Sequence, residues 1–249
     1  MKLLKEILNS FTDALFPCYG CVFCGQEVLD TTFGICEKCK VNIPKITGNV
    51  CLKCGMPMEH HGSYCVHCKG NEFNFDYARA FALFDSTTIR AVYNLKYENG
   101  KYVAEKFGRM LAEVYAGLNI DNAIVVPVPL HVNRMKDRGY NQSEEIAKVF
   151  AKLCDLKIDT TSCVREKETP TQTELTRKER EENLEGAFGL TDKKNLFNKN
   201  VIIIDDVFTT GATVNALAKI IRKAKPLSIV VLTILKVKPE HKKAQNVHK

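Results

Sequence analysis

From Tyr77 onward the apolar residues switch repeatedly between two spacings. Tyr77–Phe84 and Ala123–Val128 form short apolar runs, the second punctuated by Pro127 and just followed by Pro129. Val201–Ile204 is wholly apolar, and Leu227–Val237 is rich in β-branched residues. Runs of this length between helical stretches predict strands buried on both faces. Tyr102–Leu118, Gln142–Leu153 and Val214–Ala224 show helical spacing instead; Ile146, Ala147, Phe150 and Leu153 share one face of the second. Strands alternating with helices predict an α/β fold, a mostly parallel sheet with helices on both sides. Arg165–Glu185 breaks the pattern with crowded charge and reads as mobile surface.

The start of the chain is different. Leu3, Leu4, Ile7, Leu8, Phe11 and Leu15 fall near helical spacing, so residues 1–17 read as an amphipathic helix that packs as a lid. Only Lys2 and Lys5 are basic there, which disfavours a membrane-surface role. Glu6, Asn9, Ser10 and Asp13 interrupt any secretion-signal core. No apolar run approaches the ~18 residues that span a bilayer, so stable membrane insertion is not expected. Residues 239–249 are polar and read as a flexible tail.

Composition adds one decisive fact. The chain has 249 residues, 45% of them apolar, enough for one sizeable core and a small appendage. Nine of its 11 cysteines precede residue 69. Cys21-x-x-Cys24-Gly25 is followed by Cys36-x-x-Cys39, and Cys51-x-x-Cys54-Gly55 by Cys65-x-x-Cys68, in units that start 30 residues apart. Paired Cys-x-x-Cys turns without an export signal point to metal in a reducing cytoplasm rather than to disulfides. Each pair supplies two soft ligands, and the following glycine lets the backbone turn around the ion. Two structural Zn²⁺ ions are therefore expected over residues 18–70, ahead of a main domain at 71–238. The repeat favours sequential pairing, while an interleaved arrangement uses the same eight thiols. Cys18 offers an alternative knuckle without the glycine, and His60, His61 and His67 read as surface. Two tetrathiolate sites at −2 each would lower the formal charge from +7 to +3, so overall charge says little about nucleic acid and local basic clusters matter more.

The strand Val201–Ile204 runs into Asp205-Asp206-Val207-Phe208-Thr209-Thr210-Gly211-Ala212-Thr213 and then a helix. In open parallel sheets ligands sit beyond the carboxyl ends of strands. Hydroxyls, small side chains and free N–H groups at a helix start cradle phosphate. Two carboxylates repel phosphate but suit sugar hydroxyls, directly or through a divalent cation. Asp205–Thr213 thus reads as a loop that grips a ribose 5-phosphate. A lone helix cap accounts for one aspartate and one threonine, not for the run.

Val201–Thr213 resembles the phosphoribosyl-pyrophosphate (PRPP) motif of type I phosphoribosyltransferases. Val126-Pro127-Val128-Pro129-Leu130, Arg134 and Arg138-Gly139-Tyr140-Asn141-Gln142 narrow the likeness. With the cysteine repeat in front, nearly the whole chain resembles the ComF family, a double zinc ribbon on a type I phosphoribosyltransferase domain. Asn94-Leu95-Lys96-Tyr97, Arg165, Gln172, Arg180, Asn183 and Phe188 also resemble family positions. The resemblance implies that Asp205 and Asp206 hold ribose hydroxyls with Mg²⁺ nearby, and that Thr209, Thr210, Gly211, Ala212 and Thr213 hold the 5-phosphate. Lys96, Arg134 and Arg138 could meet a pyrophosphate, since guanidinium forks suit its oxygens. A turn at Val126–Val128 could offer N–H groups to it. Asp205, Asp206, Lys96 and Arg138 are the candidate catalytic residues, and Val207, Val128, Arg134 and Gln142 join the candidate PRPP contacts. Gln172, Arg180 and Asn183 are candidate contacts from a closing loop.

Two functions follow from the resemblance. One is a DNA-uptake protein of natural transformation that handles single-stranded DNA with the uptake machinery and carries a PRPP or nucleotide 5-phosphate site. Arg134, Lys136 and Arg138 would face phosphates, and Tyr140 would stack bases. The other is an active phosphoribosyltransferase acting on a base or amine. An ammonia-generating amidotransferase is disfavoured, because no N-terminal catalytic cysteine with a glutaminase domain is present.

Overall fold

The computed structural model describes residues 20–28, 34–59, 62–97, 100–168 and 183–238. The helix expected over 1–17, Cys18, His60, His61, Gln172, Arg180 and the tail 239–249 lie outside them. The elements are α1 (Glu37–Asn42), β1 (Tyr77–Leu83), α2 (Ile89–Tyr97), α3 (Gly100–Ala116), β2 (Ala123–Pro127), α4 (Val132–Arg138), α5 (Gln142–Leu153), β3 (Lys157–Ile158), β4 (Cys163–Arg165), β5 (Phe188–Leu190), β6 (Asn200–Phe208), α6 (Ala212–Ile221) and β7 (Ser228–Lys236). Five strands form a sheet in the order β1-β7-β6-β2-β3. Every pair in it is parallel, as the alternation of strands and helices requires. β4 and β5 make a separate antiparallel pair.

The two-residue period of β6 sorts the core. Ile202 and Ile204 pack on the face covered by α2, α3 and α5, with Leu95, Phe107, Ile146 and Phe150. Val201 and Ile203 pack on the opposite face with Leu217, Ala218 and Ile221 of α6. The alternation slips at the aspartates. Val207 lies on the Ile204 face and Phe208 on the Ile203 face. In the same rows the register passes from Asp205↔Thr233 to Val207↔Leu235, and on β1 from Ala80↔Thr233 to Ala82↔Leu235.

Two sequence expectations need correction. β6 does not end at Ile204; pairing with β7 carries it through both aspartates to Phe208. The basic stretch Arg134–Arg138 is not a loop but helix α4. His131 Nδ1 accepts the Asn133 N–H at its start, and Gly139 ends it in the left-handed region at φ 81°.

The cysteine units do not stand apart from the sheet. Cys21, Val22, Phe23, Cys39 and Ile43 join the core under α3. Cys51, Cys54, Met56 and Cys68 join the core on the α6 face with Phe75, Ala78 and Leu83. The 30-residue repeat is a repeat of structure: the bridge Gly20↔Glu27 recurs as Val50↔Pro57. Cys21 N–H donates to Gln26 O at 2.7 Å, and Cys51 N–H to Met56 O at 2.8 Å. Gly55 adopts φ 68°, and any Cβ there would lie 2.7 Å from Ala78 O, so only glycine lets this knuckle lie against β1. Among the described residues no helix is long and apolar enough to cross a membrane.

Candidate functional site

A cleft of about 440 Å³ opens beyond the carboxyl ends of β1, β7, β6 and β2. Asp205, Asp206, Val207, Thr209 and Thr213 form its floor and one wall; Lys96, Val128, Arg134, Arg138 and Gln142 complete it. Residues far apart in the chain thus meet where an open parallel sheet places ligands. Thr210, Gly211 and Ala212 make the turn behind this lining. Thr210 Oγ1 accepts the Ala212 N–H at 3.3 Å, and Gly211 begins α6 with φ 82° and no side-chain cap. The first turn of α6, with the Ala212 N–H held by Thr210 Oγ1, borders the cleft through Thr213, beside Thr209.

The aspartates differ in surroundings. Ser143 Oγ, at the start of α5, donates to Asp205 Oδ1 at 3.0 Å. The Asp206 N–H donates to the same oxygen at 3.0 Å. Asp206 Oδ1 accepts the Val207 N–H at 2.9 Å. Asp206 Oδ2 is buried and accepts no hydrogen bond, with Lys96 Nζ 3.4 Å away. Burial first, and the neighbouring Asp206 carboxylate second, push Asp205 up to about 8. The folded protein thus holds a proton that the unfolded chain releases near its ordinary value of 3.8. Stability falls as pH rises from that value through the folded one. Asp205→Asn is expected to stabilise the ligand-free protein by about 2–4 kcal/mol at pH 8 and to leave it nearly unchanged at pH 4. Urea denaturation of both proteins at the two pH values, in EDTA-free buffer without Mg²⁺, checks this; equal midpoints at pH 8 contradict it.

Opposite the carboxylates the cleft is cationic. Arg138 donates to Gln142 Oε1 at 2.5 Å, which fixes its guanidinium at the rim. Asn141 accepts the Ser143 N–H as the cap of α5 and donates through Nδ2 to Val128 O at 3.0 Å. The Val128 N–H expected to face a pyrophosphate is already committed, donating to Ile204 O at 3.0 Å across the sheet. Val128 still lines the cleft, with its carbonyl accepting from Asn141 Nδ2. Lys136 does not line it. Tyr140 does not face outward as a stacking platform: its hydroxyl donates to Leu95 O, and its ring tip fills the space that a Cβ on Gly100 would take. Asn183, half-buried, also stands outside the lining.

The cysteines form two clusters of four, Cys21, Cys24, Cys36 and Cys39 in one, Cys51, Cys54, Cys65 and Cys68 in the other, each with all sulfurs within 4.8 Å of one another. Pairing is sequential, not interleaved. A tetrahedral zinc site with ~2.3 Å arms places its sulfurs about 3.8 Å apart. Cys24 Sγ lies 3.5 Å from Cys36 Sγ, and Cys54 Sγ 3.7 Å from Cys65 Sγ. The Cys65 N–H donates to Cys51 Sγ at 3.3 Å, a bond suited to thiolate. The four-sulfur donor sets fit Zn²⁺ and leave no open position for catalysis.

Comparison with known proteins agrees with this architecture. A double zinc ribbon domain matches residues 11–69, and a phosphoribosyl transferase domain matches residues 96–248. The chain is a ComF-type member of the phosphoribosyl transferase family. Competence protein F of Haemophilus influenzae is 28% identical over 212 residues, covering 82% of this chain and 91% of that protein. DNA utilization protein YhgH of Escherichia coli K12 is 27% identical over 207 residues, 81% of this chain and 89% of its own. Competence protein ComFC of Bacillus subtilis is 23% identical over 213 residues, covering 81% and 84%.

Sequence reasoning missed several residues of this ComF-type site. Phe84, Val92 and Val237 line the cleft without any motif to mark them. Ser143 holds the buried carboxylate from another element, and its only signal was its place two residues after the cap Asn141. Arg165, singled out by the resemblance but given no role, lines the cleft from β4 of the small antiparallel pair.

Proposed function

We propose that the protein binds PRPP or a nucleotide 5-phosphate with Mg²⁺ in this cleft, and that it serves DNA uptake by handling single-stranded DNA at the cleft mouth. The observation that carries the first part is the buried Asp206 Oδ2. A carboxylate oxygen sealed from water without a hydrogen bond is costly, and this one, with only the Lys96 ammonium at 3.4 Å, belongs to a residue lining a cleft that Arg134 and Arg138 also line. A ribose hydroxyl or a Mg²⁺-bound oxygen would satisfy it, while Thr209, Thr213 and the start of α6 would take the phosphate. Asp206, with Asp205, would hold the Mg²⁺, which keeps several waters and shares substrate phosphates. That ion would offset phosphate charge beside the carboxylates. The names of the relatives, competence proteins and a DNA utilization protein, support the DNA-uptake role.

Titration calorimetry with PRPP, with and without Mg²⁺, tests the ligand; no heat in either condition rejects it. A pyrophosphate-release assay with a panel of bases, run with and without single-stranded DNA, separates the two activities. Release with any base would make the protein a transferase, and none would leave a binding protein.

The surface that supports strand handling lies on α2. Tyr93 and Tyr97 are 55% and 67% exposed, with ring centroids 5.1 Å apart. The Arg138 guanidinium sits 5.7 Å from the Tyr97 centroid, and Lys96, the residue before Tyr97, lines the cleft. Exposed rings stack bases while neighbouring cations meet the backbone. Tyr93→Ala with Tyr97→Ala is expected to weaken oligo(dT) binding about 10- to 100-fold with the salt slope unchanged, at ~1–3 kcal/mol per stacked base. Arg138→Ala should instead flatten the salt slope by about one unit. Fluorescence anisotropy over a salt series reads both; wild-type affinity in the tyrosine variant removes the platform.

A further inference from the structure

We propose that Lys236 is the internal counter-ion of the second cysteine site and ties the metal there to the ribose-phosphate cleft through Phe208. Lys236 ends β7 and is 3% exposed. An ammonium buried this deeply needs a partner. Among the described residues no carboxylate pairs with it. The Phe208 ring under its ammonium belongs to the same buried cluster as Cys51, Cys54 and Cys68, and while burial pushes the ammonium down, the charges of Cys54, Cys68 and Cys65 oppose that shift. A zinc tetrathiolate carries −2, so one lysine inside the same core halves the buried charge. The first cysteine site lies in the core on the other face of the sheet.

The link onward is geometric. Lys236 and Phe208 are register partners on β7 and β6. The ammonium lies 3.8 Å from the centroid of the Phe208 ring, within cation–π range. That ring meets Phe75 edge-on, with centroids 6.0 Å apart and planes at 89°. It also lies 2.5 Å from the place a Cβ on Gly211 would occupy, so it is pressed against the turn that starts α6. Phe208 stands between Val207 and Thr209, both of which line the cleft. Metal, Lys236, Phe208 and the Gly211 turn form one packed chain, in which Lys236 is a positioning residue. Filling the second site therefore favours the phosphate-ready form of the turn, and by reciprocity ligand in the cleft favours metal in that site.

The coupling half of this inference rests on the ligand reading above; the counter-ion half does not. Lys236→Met keeps the bulk and removes the charge. With a chromogenic chelator, one of the two zinc ions should leave this variant about 10- to 100-fold faster than from wild type, the range for loss of an outer partner of a ligand. The other ion should leave at the wild-type rate, and PRPP–Mg²⁺ affinity should fall about 10-fold, within the usual range of coupling between sites. Phe208→Leu should weaken PRPP–Mg²⁺ with both zinc rates unchanged. Wild-type zinc rates in Lys236→Met overturn the counter-ion, and altered zinc release with full PRPP affinity overturns the link. If wild type itself binds no PRPP, the ligand reading fails while the zinc rates still decide the counter-ion. Should Lys236→Met not fold, Lys236→Gln replaces it in the zinc-release test of the counter-ion, and the Co²⁺-loaded wild type decides the link: PRPP–Mg²⁺ must slow the loss of one cobalt ion and not the other, and equal rates overturn the link.

Discussion

With Asp205 and Asp206 both changed to Asn, Mg²⁺-dependent PRPP binding is expected to fall at least about 100-fold. Each carboxylate offers charge-assisted acceptors, at ~1.5–3 kcal/mol per bond to a charged group. Losing two such groups at one ligand therefore exceeds a factor of about 100. The amides keep the size of the acids, so the strand end survives. They also remove the carboxyl that burial first, and the neighbouring carboxylate second, push up. The double variant is thus expected to melt higher than wild type at pH 8 while it fails to bind, a pairing that misfolding does not produce. Calorimetry and thermal melts on the same samples read both quantities. Binding within about threefold of wild type would remove the aspartates from the ligand site, whatever the melt shows. A gain at pH 8 that persisted at pH 4 would mean that the proton on Asp205 is not its source, because close to the ordinary value of 3.8 holding that proton costs the folded chain well under about 1 kcal/mol.

The aspartate pair was legible because it belongs to a linear motif: apolar strand, acids, small residues and helix follow in order. Its environment was not. Ser143 reaches Asp205 across a separation of 62 residues, and no local pattern announces such a contact. Strand propensity also misled. Aspartates are poor strand formers, so the strand seemed to stop at Ile204, yet β7 supplies partners out to Lys236 and holds Phe208 in register. The helix α4 was hidden by its seven residues, too few for a period to show, and only its caps at His131 and Gly139 define it. Tyr140 was mistaken for a surface ring because its neighbours are basic. Its hydroxyl instead serves the carbonyl of Leu95, on a helix that the chain left 43 residues earlier, which is tertiary information. Zinc pairing stayed open for a different reason: both arrangements satisfy the spacing, and the two sulfur clusters, one of Cys21, Cys24, Cys36 and Cys39 and one of Cys51, Cys54, Cys65 and Cys68, decide it. The cysteine region also read as an appendage from composition. Its packing into both cores of the sheet follows from residues such as Phe23 and Met56, apolar positions that a ribbon standing alone would have to expose.

That packing sets the size of the last expected effect. Elemental analysis should give two zinc ions per chain, and Cys51→Ser should retain one. Serine is smaller than cysteine and stays protonated, so it does not replace the thiolate. Cys51 is fully buried, and Cys54 and Cys68 share its core with Phe75, Leu83, Val126 and Ile203. A structural zinc contributes about 10–16 kcal/mol of apparent folding energy in small zinc modules. Ordinary domains hold only about 5–15 kcal/mol in total. In an independent ribbon that loss would stay local, and the sheet would melt as before. Here β1 lies against the knuckle, Ala78 N–H donating to Lys53 O at 2.7 Å, so the sheet loses a wall. Cys51→Ser is therefore expected to abolish the cooperative thermal transition of the transferase domain and not merely to lower zinc content. Hydrogen exchange shows it directly: amides of β1 and β7 should lose protection in the variant, while α5, packed on the opposite face, keeps more of its own. Full protection of β1 with one zinc missing would mean that the second ribbon only decorates the sheet. Protection lost evenly throughout would mean that the two faces unfold as one unit.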